Sequence, residues 1–153
     1  MFERILVPVD GSATSKKGVG EAIALARLTG GCIKLIHVFE PPLLAVGTEA
    51  ALMRGEDIYN VARDAGQRVL SEAAATVKAA GIEVEEQLQE HDGKRLCEHV
   101  AQAANAWQAS LIVLGSHGRR GLKRMLLGSD AEQILRTAPV PVLLVRDSDP
   151  NAA

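Results

Sequence analysis

Two spacings of apolar residues alternate along the chain, and they predict strands that alternate with helices. Short runs of branched apolar residues, as at 111–114, are typical of strands buried on both faces. Between them lie longer stretches in which apolar residues recur every three or four positions, the spacing of a helix with one buried face. The predicted strands span 5–9, 33–39, 82–88, 110–115 and 140–145, and the predicted helices span 14–28, 57–80, 93–107 and 129–137. This alternation favours an α/β fold, a parallel sheet with helices on both faces.

Glycine and acidic residues mark several boundaries of these elements. Gly30 and Gly81 follow helical patterns and are expected to end the first and second helices. Asp92 precedes the third helix and is expected to cap it. The strand at 82–88 mixes apolar and acidic residues, so it is expected at a sheet edge with one face toward water. Residues 40–55 lack a clear period and form either a loop packed on the sheet edge or a mobile flap over a ligand.

The composition is typical of a globular protein made of one domain, expected over 1–147 with a polar tail at 148–153. The 153 residues are 47% apolar and 24% charged, enough for a substantial core. The net charge of −2 argues against nucleic-acid binding. No apolar run approaches the roughly 20 residues of a membrane span, and no secretory signal is evident, so a cytoplasmic location is expected. Cys32 and Cys97 lack metal-ligand spacing and are expected to be buried free thiols.

A glycine-rich, cationic loop follows the fourth predicted strand. Its glycines and cations are Gly115, Gly118, Gly121, Gly128, Arg119, Arg120, Lys123 and Arg124. Ser129, with Glu132 three positions later, matches a capping box and predicts a helix N-terminus. Such a strand–loop–helix turn presents unpaired backbone N–H groups and the positive end of a helix dipole, which favour a phosphate group. A flexible surface loop with solvated charges is the alternative interpretation.

The glycine spacing resembles the nucleotide-binding pattern of the universal stress protein family: Gly115-x-x-Gly118, nine residues, then Gly128-Ser129. The resemblance extends from the VPVDGS opening to the APVPVLLV ending of the chain. Neither a Walker A loop nor the G-x-G-x-x-G pattern is present. The resemblance implies a Rossmann-like fold of the adenine nucleotide alpha hydrolase type, a single-domain open parallel sheet of five strands in the order 3-2-1-4-5. It also implies ATP, with or without Mg²⁺, as the ligand.

The strand order that the resemblance implies puts the ends of strands 1 and 4 side by side. The direction of the connections reverses between them, and ligands in open α/β sheets bind at such a switch point, outside the carboxyl ends of the strands. Pro8, Val9 and Asp10 end strand 1, and Leu114 and Gly115 end strand 4. Because proline cannot donate to a sheet ladder, Pro8 is expected where the ladder ends. The Asp10 turn and the glycine loop are therefore expected to face one crevice.

Roles in this crevice follow from the chemistry of each residue and from the resemblance. Asp10 suits a pair of ribose hydroxyls, unless it only bonds the backbone of its own turn. Val38, at the end of strand 2, resembles the family position whose backbone contacts adenine, unless it is plain core. His117 and Arg119 lie inside the glycine motif and are included in the expected site, although a lone loop histidine is more often solvated than catalytic.

The phosphates are expected to lie against the start of the last helix. The residues that would hold them, through backbone N–H groups and the serine hydroxyl, are Gly115, Gly118, Gly128 and Ser129. Capping alone explains Ser129 equally well. Asp130 departs from the uncharged residue of many relatives, and it would repel a phosphate about 6 Å away by roughly 3 kcal/mol at an effective dielectric of about 20. The alternatives for Asp130 are that it stabilises the helix dipole or helps to hold Mg²⁺.

These features favour a nucleotide-binding stress or signalling module over a fast enzyme. No Ser/His/Asp or Cys/His arrangement stands out, and hydrolysis would need a positioned water and charge stabilisation. Two alternatives stay open. One is a family member that holds no nucleotide and works by protein contacts, and the other is a slow ATPase or nucleotidyl transferase on the same fold.

The C-terminal strand is expected to pair two copies of the chain. Pro139 and Pro141 suit an edge strand, and an exposed apolar edge is a hazard unless it is covered. The apolar residues of this strand are Val140, Val142, Leu143, Leu144 and Val145. A homodimer joined through the strand would cover them, as the resemblance also implies. Protection by helices and the polar tail is the alternative.

Overall fold

The computed structural model describes residues 1–41, 55–116 and 127–146. Within these ranges five strands alternate with four helices, as the apolar spacing predicted. The elements are β1 Arg4–Pro8, α1 Ala13–Thr29, β2 Cys32–Phe39, α2 Gly55–Ala79, β3 Val84–Glu90, α3 Leu96–Trp107, β4 Leu111–Gly115, α4 Ser129–Thr137 and β5 Val142–Val145. No helix in these ranges is both long and apolar enough to span a membrane. The flap-or-loop segment, for the most part, and the polar tail lie outside the described residues.

All five strands lie in one parallel sheet in the order β3-β2-β1-β4-β5. This confirms the predicted fold class and strand order. β1 is central, because it pairs with β2 on one side and with β4 on the other. β1 ends at Pro8, as expected of a residue that has no backbone N–H to donate.

Helices cover both faces of the sheet. Successive side chains of a strand point to opposite faces, so Ile5 and Val7 of β1 pack with α1 and α2, whereas Leu6 packs with α3 and α4. Ile5 and Leu6 are fully buried, and burial of such a side chain stabilises the fold by about 1.5–3 kcal/mol. The central strands are thus anchored on both faces, which fixes the positions of their carboxyl ends.

The two outer strands differ in chemistry. β3 is part-exposed and carries Glu85, Glu86 and Glu90, and its place at the end of the sheet confirms the predicted edge strand. The prediction of one face toward water is wrong, because the consecutive residues Glu85 and Glu86, which point to opposite faces, are both exposed. Charged side chains at an edge oppose pairing with another sheet. β5 forms the opposite edge with four apolar residues, and Leu143 is 37% exposed. The apolar edge therefore lacks the charges that protect β3.

Two glycines end helices as predicted. Gly30 caps α1 with φ at 68°, and its N–H donates to the carbonyl of Ala26. Gly81 follows α2 with φ at 76°. A left-handed residue at this position suits glycine, because other L-residues have a Cβ that crowds the backbone.

The capping role predicted for Asp92 is wrong. α3 begins at Leu96, four positions later, and the Glu98 carboxylate accepts a 2.7 Å hydrogen bond from Arg95 N–H at the helix start. Asp92 instead binds Lys94 within the turn before the helix. Its Oδ1 accepts from Lys94 N–H at 3.2 Å, and its Oδ2 pairs with Lys94 Nζ at 2.8 Å.

Candidate functional site

The carboxyl ends of β1 and β4 separate, although the two strands are neighbours. Among the described residues, their pairing stops at Leu6 and Ile112. β1 stays paired with β2 up to Pro8, and β4 stays paired with β5 up to Gly115. Each strand therefore continues with its outer partner, and the switch point at which the crevice is expected lies between the two ends.

Asp10 lies in the turn that leads from β1 into α1. Its Oδ1 accepts a 2.9 Å hydrogen bond from Ser12 N–H, and its own N–H donates to Ser15 Oγ at 3.2 Å. Ser12 is the N-cap of α1, because its Oγ accepts from Ser15 N–H at 3.2 Å. The interpretation of Asp10 as a turn residue is confirmed, and a role toward ribose stays a prediction. The turn therefore holds the half-buried Asp10 at the carboxyl end of β1.

The first turn of α1 lies directly against the end of β4. A Cβ added to Gly115 would lie 2.9 Å from both the carbonyl carbon and the carbonyl oxygen of Thr14. Backbone atoms of a helix cannot move aside as the end of a side chain can, so this close approach requires glycine. The packing of α1 against β4 is therefore a second reason for a glycine at position 115, and the glycine motif alone did not reveal it.

Ser116 joins the two ends of the glycine loop. Its N–H donates to the carbonyl of Val145 at 2.8 Å, and its carbonyl accepts from Gly128 N–H at 3.0 Å. The chain that leaves β4 therefore returns to it just before α4 begins. The other loop residues of the expected site lie outside the described part of the chain: His117, Gly118 and Arg119, with Arg120, Gly121, Lys123 and Arg124.

The N-terminus of α4 is capped by Gly128, and the capping box predicted for Ser129 and Glu132 is wrong. The Gly128 carbonyl accepts from Glu132 N–H at 2.9 Å, so Ser129 is already inside the helix. The Glu132 carboxylate pairs with Arg136 at 2.8 Å instead. Ser129 and Asp130 are both exposed. Because the N–H groups of a first turn have no partner within their own helix, this end of α4 can offer donors to an anion.

β2 brings two residues to the same end of the sheet. Val38 is its next-to-last residue, in register with Gln89 of β3, and it is half-buried rather than enclosed in the core. His37 is buried, and its Nδ1 lies 2.7 Å from the carbonyl oxygen of Val9. Sequence spacing gave no signal for this contact, because it joins residues that are 28 positions apart and depends on the register of β1 and β2.

Titratable groups away from the crevice form no cluster of three or more metal-ligating side chains within the described residues. Cys32 and Cys97 are free thiols, as predicted, and Cys97 is buried whereas Cys32 is only half-buried. Burial raises the pKa of the Cys32 thiol, and nearby Glu83 adds to this. His99 is buried, and its Nε2 lies 3.2 Å from Asp92 Oδ1 without a hydrogen bond between them, an approach that the spacing did not reveal.

Comparison with known proteins identifies the family. A sequence model described as the universal stress protein family matches residues 1–146. The chain belongs to the universal stress protein family. A relative from Thermus aquaticus, the universal stress protein in the QAH/OAS sulfhydrylase 3′ region, is 33% identical over 149 residues, which cover 95% of this chain and 100% of the relative.

Two solved structures of universal stress proteins resemble this chain and contain a nucleotide. The protein from Archaeoglobus fulgidus in complex with dAMP is 26% identical, with a TM-score of 0.66 and coverage of 95% of this chain and 99% of that one. A universal stress protein in complex with cAMP is also 26% identical, with a TM-score of 0.66 and coverage of 94% and 96%. Both ligands combine an adenine base with one phosphate.

Proposed function

We propose that this universal stress protein binds an adenine nucleotide, ATP with or without Mg²⁺, at the crevice between β1 and β4, and that it acts as a regulatory module. The observation that carries the proposal is the set of contacts that joins three elements. The first turn of α1, which follows the Asp10 turn, lies against Gly115 at the end of β4, and the carbonyl of Ser116 accepts from Gly128 N–H at the start of α4. A carboxylate suits ribose hydroxyls because it is an acceptor. Glycine backbone beside a helix N-terminus suits phosphate. The dAMP and cAMP complexes of two relatives support an adenine base.

The proposed contacts divide by chemistry. Asp10 accepts from ribose hydroxyls, and the backbone of Val38 contacts adenine. The residues proposed to contact phosphate are Gly115, His117, Gly118, Arg119, Gly128 and Ser129, and those proposed to line the crevice are Pro8, Val9 and Leu114. Asp130 is exposed, so solvent and salt screen its repulsion of a triphosphate. Mg²⁺ held between Asp130 and phosphate oxygens would reduce that repulsion further.

Mass spectrometry of the purified protein after gentle denaturation tests the proposal. We expect ATP, ADP or another adenine nucleotide to be released in an amount comparable with the protein. A preparation that carries no nucleotide and takes none up when ATP is added would reject the proposal. That outcome would favour a family member that works by protein contacts.

We also propose that β5 joins two copies of the chain in a homodimer. Val142, Leu144 and Val145 are only half-buried, and Leu143 is exposed. Within the described residues, this apolar strand occupies one edge of the sheet. Pairing across a two-fold axis would cover the open edge. A cytoplasmic location and the absence of nucleic-acid partners stay predictions from the sequence.

A further inference from the structure

The peptide unit between Val9 and Asp10 is held from both sides by side chains of two different elements. The carbonyl oxygen of Val9 accepts from Nδ1 of His37 in β2 at 2.7 Å. On the other side, Asp10 N–H donates to Oγ of Ser15 in α1 at 3.2 Å. His37 and Ser15 are 9% and 7% exposed, and the hydrogen bond from His37 is buried, whereas the one to Ser15 is part-buried. Because a peptide unit is planar, fixing its oxygen and its N–H fixes its orientation.

This support matters because β1 has lost its neighbour on the other side at this point. Among the described residues, pairing with β4 stops at Leu6, whereas Val9 N–H still donates to the carbonyl of Ile36 at 2.9 Å. Among the described strands, β2 alone still pairs with the end of β1 there. The His37 ring adds a side-chain hydrogen bond from β2 to the peptide unit that leads into Asp10.

The His37 ring is itself tightly seated. A Cβ added to Gly66 of α2 would lie 2.9 Å from Cδ2 of His37, so the helix backbone lies against the edge of the ring. In an interior packed this closely, the ring has little room to turn. The Val9 carbonyl can only accept a hydrogen bond, and the contact therefore selects the ring form that carries a proton on Nδ1.

We propose that His37 is a positioning residue for the Asp10 carboxylate, which fixes where a ribose hydroxyl can bind. The proposal rests on the proposed nucleotide function. His37 touches no ligand atom in this scheme. It acts through the Val9–Asp10 peptide unit, and Ser15 supports the same unit from α1.

Nucleotide binding by two His37 variants tests whether His37 acts by positioning Asp10. His37→Leu removes the donor, whereas His37→Asn keeps an N–H near the position of Nδ1. We expect His37→Leu to weaken ATP binding about threefold to tenfold, the effect of one lost hydrogen bond, and His37→Asn to recover most of the affinity. Binding of 2′,3′-dideoxy-ATP, which lacks both ribose hydroxyls, should be the same in wild type and His37→Leu. His91→Leu, a histidine change at the loop after β3, is the matched control.

A double-mutant cycle isolates the coupling. Because His37 acts only through Asp10, Asp10→Ala with His37→Leu should bind ATP no more weakly than Asp10→Ala alone. If His37→Leu loses affinity for ATP and for dideoxy-ATP equally, His37 does not act through a contact between Asp10 and the ribose hydroxyls, and the proposal is overturned. Unchanged ATP affinity in a His37→Leu protein that unfolds as wild type does would overturn the positioning role itself.

Hydrogen exchange of the Asp10 amide in the nucleotide-free protein provides a test that does not depend on ligand binding. We expect His37→Leu and Ser15→Ala to speed this exchange, and His37→Asn to restore slow exchange. If wild type binds no ATP, the proposed function fails, and the exchange rates alone decide whether His37 holds the Asp10 backbone. Unchanged Asp10 exchange in both His37→Leu and Ser15→Ala would reject the proposal.

Discussion

At the scale of single residues, Gly115 shows how one position can meet two demands. The motif suggested that this glycine lets phosphate approach, but its missing Cβ also makes room for Thr14 of α1. We predict that Gly115→Ala lowers the free energy of unfolding by about 1–3 kcal/mol, because the contact is with helix backbone. Gly20→Ala is the control, since an added Cβ there meets nothing within 4 Å. It should stabilise α1 by about 0.5–1 kcal/mol. Urea unfolding measures both, and an unchanged Gly115→Ala would reject the packing role.

At the scale of elements, apolar spacing predicted the type and order of strands and helices but not how two helices begin. Asp92 has a suitable side chain for a cap, yet the chain makes one more turn before Leu96. Ser129 was expected to cap α4, but the bond from Gly128 N–H to the Ser116 carbonyl brings Gly128 to the N-cap position. Helix starts depend on such loop contacts, which join residues distant in sequence. They cannot be read from local residue types.

The two serines at helix starts give a matched test of this correction. Ser12 is a true N-cap of α1, whereas Ser129 lies inside α4. We predict that Ser12→Ala lowers the free energy of unfolding by about 1 kcal/mol, and that Ser129→Ala changes it by less than about 0.5 kcal/mol. Denaturant unfolding compares them directly. A loss for Ser129→Ala as large as that for Ser12→Ala would restore the capping role of Ser129.

A polar contact between β3 and α3 predicts a dependence of stability on pH. Trp107 Nε1–H donates to Glu85 at 2.8 Å, and Lys34 pairs with Glu85 at 3.3 Å. The bond from Trp107 lowers the pKa of the Glu85 carboxyl below its ordinary 4.5, and Lys34 adds to this. The folded state therefore binds this proton less readily than the unfolded state. The stabilisation is complete above about pH 4.5 and is lost as pH falls through the lower folded pKa.

Glu85→Gln should remove this contribution. We predict that its free energy of unfolding falls less steeply than that of wild type as pH is lowered from about 5 to about 3. Glu83→Gln, a change at a neighbouring carboxylate for which no such contact is described, is the control. Chemical denaturation at several pH values measures the slopes. If the free energy of unfolding depends on pH equally in wild type and in Glu85→Gln, the predicted contribution of Glu85 is contradicted.

At the scale of the whole molecule, the two sheet edges predict how the chain assembles. We expect a homodimer through β5 and predict that Leu143→Lys makes it monomeric, because a charge would be buried in the interface. Leu28→Lys is the control, since Leu28 on α1 is 84% exposed and belongs to a different element from β5. Light scattering at micromolar concentration measures the mass. A monomeric wild type would count against the dimer.

The fold could be predicted from the sequence, but the strand pairing and the hydrogen bond that shape the candidate site could not. Alternation predicted a parallel sheet, and the family resemblance supplied the strand order. The proposed crevice, however, lies where pairing between β1 and β4 stops at Leu6 while the outer pairs continue. The bond between His37 and Val9 depends on that same register. No local sequence pattern predicts either feature, because each depends on strands that meet only after folding.

Calorimetric titration with ATP is the most direct test of nucleotide binding at the crevice. The φ of −59° at Gly128 is one that valine also adopts, so Gly128→Val should fold, but its branched side chain should block phosphate from the start of α4. We predict that wild type and the control Gly20→Val, a change on α1, bind ATP equally well, and that Gly118→Val and Gly128→Val lose binding. No binding by wild type, or wild-type affinity in both Gly118→Val and Gly128→Val, would contradict the proposed site.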